Sequence, residues 1–218
     1  MFITFEGLDG SGKTTIINKL YEYLWDKYPQ INFILTREPG GKGLQEAEKI
    51  RNIILDNSSK LSSKTEALLY TSSRRIHLEH VIWPELKKGS FILCDRYIDS
   101  FYAYQGFGRG LGLEWVKNIT ELVIEKTYPD VTIFFDIDAK TALFRRMSSN
   151  EQNRLDNESS AFHSNVYNGF KELIKQEPER FLIVNATQDV ETVFAETVSK
   201  LESHPKFQQF ISDKKLLW

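Results

Sequence analysis

Gly7-Leu8-Asp9-Gly10-Ser11-Gly12-Lys13-Thr14 sets two glycines around four intervening residues and closes on a lysine and a hydroxyl. These types at this spacing bind phosphate. Glycines let backbone N–H groups wrap closely around phosphoryl oxygens, and a helix opening at Lys13 adds the positive end of its dipole. Lys13 then reaches the outer phosphates, and the Thr14 hydroxyl suits Mg²⁺. The phosphate-binding set runs from Gly7 through Thr15. Asp9 is out of character there, because a carboxylate repels phosphate. It is expected to face a substrate hydroxyl or a metal-bound water.

A second cluster ends the run Phe91-Ile92-Leu93-Cys94-Asp95. An acid at the end of an apolar strand holds Mg²⁺ in phosphate-loop domains. Arg96 follows it at the strand edge where open α/β sheets bind ligands, and an arginine there braces a phosphoryl group. Cys94 reads as a core thiol. Tyr70 and Arg74 are four residues apart and share one helix face, able to stack on a base and to hydrogen-bond its edge. Arg37 ends a strand and Arg51 lies on the next helix; either suits a monophosphate. The Gln105 amide suits a pyrimidine edge. His77 and His80 have the spacing of a metal pair, but no third ligand is near, and packing or surface roles are favoured.

Five short runs rich in branched and aromatic residues must carry these groups: 2–5, 33–36, 91–94, 131–135 and 181–184. Helical patterns occupy 13–28, 44–55, 66–87, 113–126, 139–147, 162–176 and 191–202. Continuous apolar strands alternating with helices predict an α/β fold whose parallel sheet is covered by helices on both faces. Three segments resist regular assignment: 38–43, the glycine-rich 105–112 and the polar 148–160. The tail 204–218 reads either as a mobile end or as an apolar turn of Phe207, Phe210 and Ile211 against the body.

A chain of 218 residues fits one domain, here 1–203, with a lid at about 145–160. One cysteine excludes an intrachain disulfide, and a net charge of −2 argues against a nucleic-acid scaffold. The N-terminus lacks a basic region before an apolar one, and no apolar run approaches the ~20 residues of a membrane span. Neither nucleic acid nor membrane is expected as a partner, and the expected address is the cytoplasm.

Phe5-Glu6-Gly7, the phosphate loop, Thr36-Arg37-Glu38-Pro39-Gly40-Gly41, Cys94-Asp95-Arg96-Tyr97, Ala103-Tyr104-Gln105-Gly106, Asn153-Arg154-Leu155-Asp156 and Asn185-Ala186-Thr187-Gln188 follow in that order. The set resembles the bacterial thymidylate kinases over about residues 1 to 200. That resemblance implies a homodimer with a five-stranded P-loop fold of nucleoside monophosphate kinase type. It implies Mg²⁺-dependent phosphoryl transfer from ATP to dTMP, giving dTDP and ADP on the way to dTTP. It implies Tyr70 stacked on thymine, Arg74 and Gln105 at the base, and Arg37, Arg51 and Arg96 around the acceptor phosphate. Asp9 falls near the sugar 3′-hydroxyl, Ala186, Thr187 and Gln188 beside adenine, and Thr14 and Asp95 at the metal.

Gly10 stands where one type of relative carries an arginine, so the charge over the transferring group must come from the lid. Ser148, Ser149 and Asn150 occupy ground where many relatives carry arginine. Arg154 is the arginine expected there, poorly held until substrate arrives, with Arg146 as the second candidate; Lys13, Arg96, Asp9 and Arg154 form the expected catalytic set. Phe101, where relatives have a small hydroxyl residue, is expected to tighten the base pocket. A kinase of another deoxynucleotide or a nucleoside is the alternative. A GTPase-like switch is more distant, since Asn18-Lys19 continues into Leu20-Tyr21 inside a helix, without the guanine-reading acid.

Overall fold

The computed structural model describes residues 1–41, 43–148 and 153–215. Five strands, β1 (Phe2–Glu6), β2 (Phe33–Arg37), β3 (Phe91–Asp95), β4 (Val131–Asp136) and β5 (Phe181–Asn185), form one sheet in the order β2-β3-β1-β4-β5. Every pairing is parallel. Each strand runs one residue further than its apolar pattern, because the polar residue at its end still pairs at the sheet's carboxyl edge. Register then does the positioning: Phe5 and Arg37 both lie beside Asp95, so the phosphate loop, the β2 arginine and the β3 acid emerge together.

Helices α1 (Lys13–Lys27), α2 (Gln45–Leu55), α3 (Ser63–His77), α4 (Trp83–Lys87), α5 (Ile98–Phe101), α6 (Leu113–Ile124), α7 (Ala139–Met147), α8 (Ser160–Gln176), α9 (Val190–Ser203) and α10 (Pro205–Lys215) cover the sheet. Side chains cap several of them: Ser62, Asp138, Ser159 and Asp189 each accept a backbone N–H from the residue three further on. Gly12 at the start of α1 offers no such cap, which leaves first-turn N–H groups available to an anion.

Three segments differ from their sequence patterns. The single helix expected over 66–87 is α3 and α4 joined by a wide π turn, Leu78–Ile82. Pro84, in the first turn of α4, has no N–H to give the carbonyl four residues back, and the wider turn absorbs the mismatch. The first half of the glycine-rich segment is helical rather than loose: α5 continues as a π turn over Tyr102–Gly108. Gly108 allows it, since a Cβ there would meet Phe162 and Val166 of α8 at 2.8 Å. At the other end of the chain, α10 docks rather than hanging free. Phe207 is buried, its ring centroid 5.8 Å from that of Phe91, and Phe210 lies 5.3 Å from the same ring. Residues 216–218 of the tail, and Ser149 and Asn150 of the expected lid, lie outside the described residues.

Candidate active site

A cleft of about 420 Å³ opens at the carboxyl edge of β1, β2 and β3, within the size range of small-ligand sites. Asp9, Lys13, Thr14, Arg37, Arg51, Tyr70, Arg74, Asp95, Arg96, Gln105 and Arg146 all line it. They come from seven separate stretches of chain. Gly7, Leu8, Gly10, Ser11, Gly12 and Thr15 belong to the loop and first turn behind it; Arg154 and Ala186–Thr187–Gln188 fall outside its lining.

On the loop side, the Lys13 ammonium donates to the carbonyls of Gly7 (3.1 Å) and Leu8 (2.8 Å). Burial, with Arg96 nearby, lowers its pKa to about 8. Gly10 has φ +86°, and a Cβ there would stand 2.1 Å from the Ala142 carbonyl oxygen of α7. The α7 backbone thus occupies the space a side chain would need, and no arginine fits at this position without a shift of α7.

Arg96 has a left-handed backbone (φ +67°), a conformation that costs a non-glycine residue of order 1–3 kcal/mol. Several bonds hold it there. Its N–H donates to Phe5 (3.0 Å), Nη1 to the Gly7 carbonyl (2.9 Å) and Ser100 Oγ (2.8 Å), and Nη2 to Asp9 Oδ1 (2.7 Å). Asp9 therefore faces Arg96 in this structure, with the Tyr104 hydroxyl at 3.4 Å from its other oxygen. Burial favours the neutral acid, but Arg96 and Lys13 outweigh it and hold the Asp9 carboxyl well below the usual range. Beneath Arg96, Glu6 accepts from the Tyr97 N–H (2.8 Å) and from Ser100 Oγ. Burial and the neighbouring Asp99 push the Glu6 carboxyl up to about 7.

Thr14 Oγ1 donates to Asp95 Oδ2 at 3.3 Å, while Asp95 Oδ1 is buried without a partner among the described residues. A buried carboxylate oxygen with open lone pairs beside a hydroxyl fits a hard, oxygen-seeking cation such as Mg²⁺. His77 and His80 do not form a metal pair. His77 is buried between Thr36 and Glu38, and His80 is exposed.

Across the cleft, Arg37 Nη2 grips both oxygens of Glu48 (2.9 and 2.8 Å), and its Nε is buried without a partner among the described residues. Arg51 donates to the Pro39 carbonyl at 2.8 Å. Burial and the adjacent Arg37 lower the Arg51 pKa, since each cation disfavours the charge of the other. Arg74 is 2% exposed; Nε donates to Glu38 Oε2 (2.8 Å) and Nη2 donates to the Tyr97 carbonyl (3.4 Å), leaving Nη1 buried and unpartnered among the described residues. Phe101 backs this guanidinium, its ring centroid 5.0 Å from Arg74 Cζ and 6.2 Å from the Tyr70 ring.

The lid arginines separate. Arg146 forks onto Asp156, Nε to Oδ1 (2.9 Å) and Nη2 to Oδ2 (2.8 Å), and stays in the cleft lining. Arg145 braces the loop expected beside adenine, donating to the Ala186 (2.8 Å) and Thr187 (3.2 Å) carbonyls. Arg154, expected to be poorly held, is instead tied to the Ile54 carbonyl (3.0 Å) and to Glu66. A buried carboxylate outcompetes water for a guanidinium, so Arg154 is held at Glu66 and does not join the cleft lining.

Glu38, His77, Tyr104 and Glu66 support the site without having stood out individually in the sequence. Glu38 and Tyr104 lie inside longer motifs, and the sequence favours a packing or surface role for His77 without indicating its partner Glu38. Glu66 resembles an ordinary first-turn helix acid.

The model of one family, described as thymidylate kinase, matches residues 5–197. The chain is 57% identical over 211 residues to the thymidylate kinase of Mycoplasmopsis agalactiae, covering 96% of this chain and 98% of that protein. It is 49% identical to the thymidylate kinase of Finegoldia magna, covering 93% and 98%. A solved structure, thymidylate kinase from Ehrlichia chaffeensis, superposes with a TM-score of 0.75 at 36% identity, covering 93% of this chain and 98% of that one.

Proposed function

Because this chain belongs to the thymidylate kinase family, we propose that the cleft binds ATP on its loop side and dTMP on its arginine side, and that the two meet over Lys13 and Arg96. The activity is that of a nucleoside monophosphate kinase, moving a phosphoryl group from ATP to dTMP to give ADP and dTDP. The observation that carries the assignment of sides is the Arg74 Nη1 donor, buried and unpartnered among the described residues, in the same cleft as the phosphate loop's Lys13 and Thr14. A buried donor without a partner costs about 1–3 kcal/mol, which a base carbonyl recovers.

Phosphoryl transfer is a matter of alignment and charge compensation more than covalent chemistry. Lys13 and the α1 N-terminus hold the donor phosphates. Arg37 and Arg51 hold the acceptor phosphate, and Arg96 draws it into line while Asp9 anchors Arg96. The acceptor is itself an anion, so no general base is required. Thr14 and Asp95 would hold Mg²⁺, which when bound neutralises and orients donor oxygens. The segment around 145–160 serves as a lid that keeps water from the transferring group. Within it, Arg146 is placed to cover that group, and Arg154 fastens the lid to α3.

The address we propose is the cytoplasm, in keeping with a single, buried, reduced cysteine; no helix among the described residues is long and apolar enough to cross a membrane. We also propose a homodimer through α2, α3 and α6. These helices pack side by side and present Ile53, Leu68 and Leu122 to solvent, Leu122 at 80% exposure. Light scattering should then give twice the 25.4 kDa chain mass, and Leu122→Glu should lower it.

ADP release measured with dTMP, dUMP, dCMP, dAMP and dGMP tests the central reading. The greatest kcat/KM is expected with dTMP, and EDTA should abolish turnover until Mg²⁺ is restored. A higher kcat/KM with another acceptor would reassign the arginine side of the cleft.

A further inference from the structure

Glu66, in the first turn of α3, is 1% exposed and enters the steps above only as the anchor of Arg154. Its Oε1 accepts from Gln105 Nε2 (2.9 Å) and Arg109 Nε (3.0 Å). Its Oε2 accepts from Arg109 Nη2 (3.1 Å) and from Arg154 Nη2. Burial raises the Glu66 pKa, but hydrogen bonds from Arg109 and Arg154 bring it below its ordinary value, so the group is a carboxylate. A carboxylate only accepts hydrogen bonds.

That fact decides which way Gln105 points. A side-chain amide has a donating end and an accepting end of nearly the same shape. Turned over, Gln105 would press its carbonyl against the Glu66 carboxylate in a buried place, two acceptors with no proton between them. The NH₂ must therefore face Glu66. Gln105 is 1% exposed and lines the cleft, and its Oε1 takes no hydrogen bond from any described residue. The carbonyl is the end offered to a ligand.

We infer that Glu66 is a positioning residue that fixes the polarity of the Gln105 amide and thereby restricts the acceptor to pyrimidines with an N3–H beside a carbonyl. The inference rests on the reading of dTMP as acceptor. Arg74 Nη1 supplies a donor and Gln105 Oε1 an acceptor. Thymine and uracil match that pair with O4 and N3–H. Cytosine reverses both, setting its 4-amino group against a guanidinium that only donates and its bare N3 against a carbonyl that only accepts. A buried site rejects such a mismatch far more strongly than a change in size.

Glu66→Gln is the informative substitution. The Nη2 groups of Arg109 and Arg154 claim the new carbonyl at the Oε2 position, which keeps two charged donors satisfied and gives up only Arg109 Nε. The new NH₂ takes the Oε1 position, and the Gln105 amide turns over to meet it. The cleft then presents NH₂ where it presented a carbonyl. We expect kcat/KM for dTMP and dUMP to fall together, by about tenfold or more, while that for dCMP does not fall. The dTMP-to-dCMP ratio thus drops by at least the same factor. General damage to the fold would instead lower all three alike. A folded Glu66→Gln protein, judged by its melting temperature, with a ratio within about twofold of wild type overturns the inference, as does an equal loss on all three acceptors. If Glu66→Gln does not fold, Glu66→Asp is read in the same way. It keeps the charge but draws the carboxylate back by a methylene from Gln105 and from the arginines alike, which frees the Gln105 amide to turn over, and an unmoved ratio in it again overturns the inference. A wild-type enzyme that does not prefer dTMP to dCMP overturns the dTMP reading itself. A wild-type preference retained beside an unmoved variant ratio overturns only the role of Glu66.

Discussion

Lys13→Ala is expected to lower kcat by about 10³-fold or more while leaving the fold intact. The Lys13 ammonium bonds only to its own loop, at the Gly7 and Leu8 carbonyls and Ser11 Oγ (3.4 Å). Those groups lie beside the cleft and regain water when the side chain is removed, so the melting temperature should move little. Arg96 reaches the same loop but is engaged by the Gly7 carbonyl and the Asp9 carboxylate, and the α1 N-terminus supplies only a partial charge, so the full charge of Lys13 is not replaced. The same residue sets a pH dependence. Burial, then Arg96, lowers the free enzyme's Lys13 pKa to about 8, and ATP needs the ammonium form. The kcat/KM for ATP, which reports the free enzyme, should therefore fall as pH rises through about 8. Bound phosphate favours the charged lysine, so the fall in kcat should come at higher pH. A Lys13→Ala protein with normal melting and kcat within tenfold of wild type would remove the donor site from the loop.

Arg146→Ala should lower kcat by about 10²-fold, with KM for dTMP changing little. Its guanidinium is aimed by the fork onto Asp156 and remains in the cleft lining near Asp9. Charge that develops in transfer is then met by a group already in place. Arg154→Ala is expected to cost less than tenfold in kcat. Its bonds to Glu66 and the Ile54 carbonyl fasten the lid segment and do not face the phosphates. Steady-state kinetics of the two variants side by side separate the roles. If Arg154→Ala loses the larger part of kcat, the lid must rearrange so that Arg154 leaves Glu66 during turnover.

The frame of this protein is legible in short stretches of its chain. A strand period of continuous apolar residues, a loop whose glycines and lysine have one chemical use, and an acid-arginine pair ending a strand are local features. Local geometry follows from local sequence because backbone sterics and side-chain type act over a few residues. The order of quoted motifs carried the family as well. What the chain could not display was which polar group meets which across 30 to 100 intervening residues. Arg154 is the clear case, 88 residues from Glu66, since nothing in Asn153-Arg154-Leu155-Asp156 indicates a buried carboxylate on α3. The pairing of His77 with Glu38, 39 residues apart, likewise turned an apparent metal spacing into a support for Arg74. Both follow from one physical cause: a buried charge must find a partner wherever the packed sheet and helices bring one within about 3 Å, and only the tertiary structure decides which one that is.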